Sequence, residues 1–301
     1  MTTVADTLFV GNNRLYQPSP IKRTRRTTAE LEAINTAIVR IVEADNPITL
    51  RGLFYRLVSA GMIGKAENEY KNVGCYLLQL RRCGRVPYRF IADNTRWMRK
   101  QASYDNLEEA LANTAAAYRR SLWNEQDAYV EVWCEKDTLA GVLILETNPY
   151  DVPLMVVRGF SSETYVYESA QAMRHVGKPI YLYLLTDLDP SGVHIALDIE
   201  RKIRGFIPDA DVTVRRIAVT PEQVQLWNLP TRPTKKTDSR SKAFAGESVE
   251  LDAIPPATLR TLVREAIEQH IDPAELEATK RTEQLERASL YDMLDMIGGT
   301  A

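Results

Sequence analysis

The sequence predicts an α/β protein in two parts, a helical N-terminal module followed by a parallel sheet flanked by helices. Apolar residues recur at helical spacing through about residues 28–83, whereas β-rich apolar runs alternate with helical patterns between about 128 and 219. The charge balance also changes along the chain. Residues 1–100 carry 17 Lys and Arg against 8 Asp and Glu, and residues 101–301 carry 21 against 32. This asymmetry indicates a polyanion-binding part followed by a part that uses carboxylates, the alternative being a solvated basic face.

Length and composition exclude several classes of protein. A chain of 301 residues accommodates about two domains. Its 45% apolar and 26% charged residues exclude wholesale disorder. No apolar run approaches the roughly 20 residues of a membrane span, and no signal peptide is expected. Three cysteines without a CxxC pair exclude a disulfide framework and a zinc ribbon, which predicts a reducing, cytoplasmic location.

The N-terminal part is predicted to be an irregular basic arm at 1–27 and a helical domain at 28–100. Thr28 opens the first helix, and Thr49 caps the second, which Gly61 ends. The predicted elements are helices at about 28–44, 50–60 and 67–83, then a short strand and turn at 86–97. Three helices and a β-turn, with Arg and Lys on the third helix, fit a winged helix-turn-helix domain of the CAP-like kind.

A connecting helix within 101–125 leads to the second domain, 126–301. Its strands are predicted at about 128–134, 154–158, 180–186 and 212–219, and its helices at about 138–146, 162–175, 191–203, 256–270 and 273–296. Near-continuous apolar strands that alternate with helices indicate a parallel sheet covered on its faces. The polar and basic stretch 230–250 is predicted to be a surface loop.

Acidic residues follow two of these strands. Glu135 comes directly after the first strand, and Asp187 and Asp189 follow the third. Residues i and i+2 of an extended chain point to the same face, and the carboxyl ends of parallel strands are where α/β sheets build their sites. Carboxylates that converge there attract a hard cation, so we expect Mg²⁺, with Mn²⁺ as a substitute. The alternative is that Asp187 and Asp189 only cap the following helix.

The strings EKD, after an apolar strand, and DLDPSG, after another, resemble the Toprim domain of topoisomerase VI A subunits and of the related meiotic double-strand-break proteins. The resemblance covers roughly residues 28–225, in domain order, and is strongest to the short stand-alone A-subunit-like proteins of bacteria and their viruses. It implies that Glu135, Asp187 and Asp189 bind Mg²⁺. The tail from residue 230 is not assigned by it.

The same family carries an RxxYY motif in its winged-helix domain. The string TLRGLFYRL supplies Arg51 and Tyr55, with Phe54 in place of the first tyrosine. The resemblance implies that Tyr55 attacks DNA to form a tyrosyl–5′-phosphate. Helical spacing places Tyr55 at the margin of an apolar stripe and one turn from Arg51, which could bind a phosphate. Glu135 could act as the acid and base for the 3′ hydroxyl that cleavage releases. The alternative for Tyr55 is a core-edge tyrosine with its hydroxyl in water.

The expected partner is double-stranded DNA, and the resemblance implies a homodimer in which the tyrosine of one chain faces the metal of its partner. The predicted DNA contacts are the basic residues of the third helix and the wing: Lys71, Arg81, Arg82, Arg85, Arg89 and Arg96. The basic loop residues are either a DNA clamp or solvated: Arg232, Lys235, Lys236, Arg240 and Lys242. No glycine-rich nucleotide-binding signature occurs, so ATP dependence would require a separate ATPase subunit.

These expectations combine into a Mg²⁺-dependent, DNA-cleaving transesterase of the topoisomerase VI A-like (type IIB) kind, located at the nucleoid of a bacterium or encoded by a virus. Two alternatives stay open. The first is a Toprim nuclease that uses water, with Tyr55 structural. The second is a non-catalytic winged-helix DNA-binding protein that keeps the acidic site as a relic.

Overall fold

The computed structural model describes residues 26–92, 102–159, 161–233, 244 and 247–298, and it has the predicted α/β fold with a parallel sheet flanked by helices. The strands are β1 (Tyr129–Cys134), β2 (Leu154–Val156), β3 (Ile180–Leu185) and β4 (Val212–Ala218). The helices are α1 (Thr28–Asp45), α2 (Leu50–Ser59), α3 (Glu67–Arg82), α4 (Leu107–Ala117), α5 (Ala140–Thr147), α6 (Glu163–Arg174), α7 (Pro190–Phe206), α8 (Pro221–Leu226), α9 (Pro256–Glu268) and α10 (Pro273–Gly298). Sequence analysis did not predict α8.

The first three helices form where the apolar spacing predicts them. Thr27, one residue before the predicted start, caps α1 through a capping box with Glu30. The Thr49 hydroxyl caps α2 by accepting a hydrogen bond from the Gly52 N–H, at 2.8 Å. The buried faces of α1, α2 and α3 pack on one another. This fixes α2, which carries Arg51 and Tyr55, on a rigid base.

Of the short strand and turn predicted at 86–97, the strand is wrong for residues 86–92, and 93–100 lie outside the described residues. The chain forms a 3₁₀ turn at Tyr88–Phe90 and a single parallel bridge between Ile48 and Ile91. Pro87 has no N–H with which to donate a ladder hydrogen bond, so it favours a turn over a longer strand. A wing is therefore not confirmed.

The sheet has the strand order β2-β1-β3-β4, with every pair parallel. From β1 the chain moves outward to β2, then crosses back to add β3 on the other side of β1. Helices α5 and α9 cover one face, and α6 and α7 cover the other. The carboxyl ends of β1 and β3 therefore flank the point where the strand order reverses, which is where open α/β sheets bind their ligands.

The two predicted domains share one hydrophobic core, and residues 248–254 join them. This segment, here called the strap, hydrogen-bonds Leu188 through both backbone groups of Val249 at 2.9 Å. Its Leu251 and Ile254 side chains are buried, and it also packs against α2. The prediction of a surface loop through residue 250 is therefore wrong for 248–250, since these residues are buried between the two parts.

Three further features bear on the sequence predictions. The helix within the predicted connector, α4, packs along α10, and the Tyr118 hydroxyl donates a hydrogen bond to Glu286 at 2.7 Å. All three cysteines are free. Among the described helices, none combines the length and apolar character needed to cross a membrane.

Candidate active site

Glu135 and Asp187 lie together at the carboxyl edge of the sheet. They follow the neighbouring strands β1 and β3, and the Glu135 Oε2 atom accepts a hydrogen bond from the Asp187 N–H at 3.0 Å. Asp187 is 8% exposed. Burial first, and then the charge of Asp187, raise the pKa of Glu135 above its ordinary value. The strand order thus gathers two of the three predicted metal ligands.

Asp189, the third, stands at the turn from β3 into α7. Its Oδ1 atom caps α7 by accepting a hydrogen bond from the Gly192 N–H at 2.8 Å, as the capping alternative proposed. Its Oδ2 atom lies 3.5 Å from the Arg232 guanidinium. A Cβ atom at Gly192 would lie 2.2 Å from the Asp187 carbonyl oxygen, so the turn requires glycine. The DLDPSG string therefore encodes a tight turn as well as two carboxylates.

Lys136, the residue after Glu135, neutralises several of the carboxylates at this edge. Its Nζ atom lies 3.0 Å from Asp187 Oδ1, 3.1 Å from Asp252 Oδ2 and 3.4 Å from Glu250 Oε2. Burial by itself would lower the pKa of Lys136, but the three carboxylates outweigh it and raise the pKa above its ordinary value. Lys136 is thus a charged lysine that holds the strap against β1 and β3.

Tyr55 is buried, which corrects the prediction that it sits at the margin of the apolar stripe. It is 5% exposed, and its ring packs edge-on against Phe54, with 5.3 Å between the centroids. The Lys65 ammonium lies 5.3 Å from the centroid of the Tyr55 ring. The strap and Arg232 cover the flank of α2 that helical spacing leaves open. Burial, followed by the charge of Glu250, raises the pKa of Tyr55 above its ordinary value.

Glu250 connects the tyrosine to the carboxylate edge. Its Oε2 atom accepts a hydrogen bond from Arg51 at 2.7 Å, and its Oε1 atom accepts one from Arg232 at 2.8 Å. Arg232 also faces Asp189, and Lys136 joins Glu250 to Asp187. Arg51, through its ion pair, and Tyr55, through its hydrogen bond, are therefore both joined by Glu250 to the carboxylate edge of the same chain, whereas the resemblance implied a meeting across a dimer.

The excess of carboxylates at this edge suits a divalent cation, although their side chains do not form a coordination site in this structure. Within the described ranges, no three Asp, Glu, His or Cys side chains are grouped closely enough to hold a metal ion. Asp187 and Asp189 each face a protein cation instead, but no Lys, Arg or His described here pairs with Glu135 within 4 Å. Five carboxylates and four cations of the described residues lie at or beside this edge: Glu135, Asp187, Asp189, Glu250 and Asp252 against Arg51, Lys65, Lys136 and Arg232. Oxygen donors with excess negative charge are what Mg²⁺ or Mn²⁺ requires.

The predicted DNA contacts lie on or near α3, and several already have partners. Arg82 is exposed at the end of α3. The others contact neighbours within the N-terminal part: Lys71 pairs with Glu67, Arg85 pairs with Glu32, Arg81 lies over the Tyr88 ring and Arg89 over the Phe90 ring. Arg96, Lys235, Lys236, Arg240 and Lys242 lie outside the described residues. The basic face is thus partly neutralised by the protein itself.

No sequence pattern predicts a role for Lys136, Glu250 or Asp252, and Arg232 is predicted only as a residue of the basic loop. One signal pointed to the strap. Glu250 and Asp252 alternate with apolar residues in the string VELDAI, and acidic side chains inside an apolar run are rarely buried unless they are paired. The identity of their partners was not readable, because those partners are far away in the chain.

Comparison with protein-family models and with curated proteins finds no match to this chain.

Proposed function

We propose that this chain is a Mg²⁺-dependent DNA-cleaving protein of the topoisomerase VI A-like kind, with Tyr55 as its nucleophile. The observation that best supports the proposal is the chain of contacts from Tyr55 and Arg51 through Glu250 to the edge that carries Glu135, Asp187 and Asp189. A phenol, an arginine and a group of carboxylates are the parts that phosphoryl transfer to a tyrosine requires.

The reaction is a transesterification. The Tyr55 hydroxyl oxygen attacks the phosphorus of a DNA phosphodiester, and the bond from phosphorus to the 3′ oxygen breaks. The products are a tyrosyl–5′-phosphate and a 3′ hydroxyl, which receives a proton equivalent to the one that the phenol loses. Arg51, whose side chain is 47% exposed, holds the phosphate, and Glu135 exchanges the proton of the 3′ hydroxyl.

Glu135, Asp187 and Asp189 would hold the metal ion, which supplies positive charge against the charge that develops on the phosphate. The pKa of Glu135, which burial and the charge of Asp187 raise, favours this assignment, as does the lack of a Lys, Arg or His within 4 Å of Glu135 among the described residues. Asp189 keeps its capping bond to Gly192 through one oxygen, so its other oxygen is the one available to exchange Arg232 for another cation.

We further propose that α1–α3 and the residues after them act as a winged-helix domain, with duplex DNA along α3, and that residues 126–301 form a Toprim-like domain. A homodimer supplies two tyrosines for the two opposed strands. Mixing a Tyr55→Phe chain with an Asp189→Asn chain tests which carboxylates each tyrosine uses. Nicking of the plasmid by the mixture would mean that Tyr55 works with the carboxylates of the partner chain. An inactive mixture would mean that Tyr55 works with the carboxylates of its own chain.

The proposal is tested with supercoiled plasmid and Mg²⁺, stopped with denaturant and analysed with and without protease digestion. We expect linear DNA that enters the gel only after digestion, because the protein is joined to the 5′ ends. Tyr118→Phe is the matched control, since it also removes a hydroxyl bonded to a glutamate, at a position between α4 and α10. A full yield of adduct from Tyr55→Phe would exclude Tyr55 as the nucleophile.

One observation favours a second candidate, a metal-dependent nuclease that uses water. Tyr55 is buried and its pKa is raised, which opposes formation of a phenolate in the DNA-free protein. Metal-dependent cleavage with 5′ ends free of protein, unchanged in Tyr55→Phe, would select this candidate.

A further inference from the structure

A cavity of about 240 Å³ beside Tyr55 is rich in positive charge. Arg51, Lys65 and Arg232 line it together with two carboxylates, Glu250, which pairs with both arginines, and Glu67, which pairs with Lys71. The two arginines come from different parts of the fold, and their side chains are partly exposed, Arg51 to 47% and Arg232 to 33%. Three cations that converge on one small, solvent-accessible cavity form a site for an anion with several oxygens.

Glu250 fills that site in the manner of a phosphate. Each of its two oxygens accepts a short hydrogen bond from a different guanidinium, at 2.7 and 2.8 Å. The Lys65 ammonium donates to the Pro230 and Thr231 carbonyls, which holds it beside the segment that carries Arg232. The Tyr55 hydroxyl also faces the Glu250 carboxylate. The carboxylate thus makes the contacts that a phosphodiester attacked by Tyr55 would need.

We propose that Arg51, Lys65 and Arg232 form a phosphodiester-binding subsite, which the Glu250 carboxylate occupies in the DNA-free protein and leaves when a DNA phosphate binds. This inference rests on the proposed function for DNA as the source of the phosphate. Glu250 does not become unpaired on leaving, because its Oε2 atom also lies 3.4 Å from Lys136. The exchange replaces a carboxylate that opposes ionisation of Tyr55 with the group that Tyr55 attacks.

The test measures thermal unfolding of the full chain against increasing inorganic phosphate. In Glu250→Gln the subsite loses its internal anion, so we expect phosphate to bind about tenfold more tightly than in the wild type and to raise the Tm further. Glu286→Gln is the matched control, since Glu286 also accepts hydrogen bonds from a tyrosine and an arginine, Tyr118 and Arg120, both at 2.7 Å. An equal response to phosphate in Glu250→Gln, Glu286→Gln and the wild type would overturn the proposal.

A second pair of variants keeps the test decisive if Glu250→Gln does not fold. Arg232→Gln removes one cation of the subsite and should weaken binding of a short duplex about tenfold, measured by fluorescence anisotropy without metal. Arg120→Gln removes an arginine paired with Glu286, and we expect less than about a twofold change. Equal duplex affinities for these two variants would also overturn the proposal. These measurements involve no cleavage. A wild-type chain that forms no covalent adduct with DNA therefore contradicts the proposed function and leaves the subsite standing.

Discussion

Glu250 and Arg51 form an ion pair with 2.7 Å between Oε2 and Nη1, although 199 positions separate them in the chain. The pair fastens α2 to the strap and thereby brings the tyrosine of α2 to the carboxyl edge of the sheet. Because Glu250 is only 6% exposed at its side chain, this contact is part of the structural core of the site.

Tyr55→Phe should remove the covalent adduct at nearly unchanged stability. The ring keeps its contacts with Phe54 and Lys65, and Glu250 keeps its three cations. We therefore expect the free energy of unfolding to change by less than about 1 kcal/mol. Urea unfolding measures the free energy of unfolding, and the plasmid assay measures the yield of covalent adduct. A loss of several kcal/mol, with the adduct retained, would make Tyr55 a structural residue only.

Asp189→Asn should abolish metal-dependent cleavage while α7 stays intact. Asparagine caps helices about as well as aspartate, so the hydrogen bond from the Gly192 N–H is retained while the charge is lost. Calorimetric titration with Mn²⁺ measures the lost binding. Asp198→Asn, within the same helix but paired with Lys202, is the control and should bind Mn²⁺ as the wild type does. Unaltered Mn²⁺ binding in Asp189→Asn would contradict the ligand assignment.

Gly192→Ala should destabilise the protein by about 3 kcal/mol or more, because the added Cβ would meet the Asp187 carbonyl oxygen at 2.2 Å. Gly205→Ala in the same helix is the matched control. It has no neighbouring atom within 4 Å of the added Cβ, so we expect it to gain up to about 1 kcal/mol. Chemical denaturation measures the free energy of unfolding of both variants. Equal values for the two would mean that the turn after β3 can shift to accommodate the added Cβ atom.

Glu131→Gln should make the protein more stable at neutral pH. Glu131 is buried in β1, where burial raises its pKa above the ordinary value of 4.5 against the opposing hydrogen bonds from Trp133 and Tyr129. The native state then holds its proton more tightly than the unfolded chain, so stability falls as pH rises from the ordinary value through the raised pKa. Glutamine does not titrate and avoids this loss.

The measurement is the free energy of unfolding of Glu131→Gln and the wild type from mildly acidic to neutral pH. The difference should grow with pH and then level off above the raised pKa. Glu108→Gln, exposed on α4, should follow the wild type. A difference that is constant with pH would mean that Glu131 does not titrate in this range.

Arg82→Gln should weaken duplex binding equally for all sequences. Arg82 is exposed at the end of α3. Because each phosphate contact contributes about −0.9 to the slope of log affinity against log salt concentration, losing one makes the salt dependence less steep by about 0.9. Arg204→Gln on α7, where Arg204 pairs with Glu200, removes the same charge from the acidic part and should leave the slope unchanged. Equal slopes for the two variants would place the DNA elsewhere.

The sequence by itself determined the main helices and strands and the acidic edge, although not α8 or the turn at Tyr88–Phe90. Apolar spacing fixed α1 to α3 to within about two residues, since it depends only on residues three and four apart. The apolar runs of β1 and β3 predicted buried parallel strands, and the acidic residues at their ends predicted a shared edge. Local patterning also predicted burial of Phe54 within the stripe of α2.

The tertiary structure alone decided what surrounds Tyr55 and what neutralises the carboxylates. Helical spacing left Tyr55 at an open flank, and the strap closes that flank from a position about 200 residues away. Lys136 and Arg232 meet Asp187, Asp189 and Glu250 only when the sheet, α2 and the strap have packed together. Such contacts leave no periodic signal in the sequence, because they are set by the packing of distant segments.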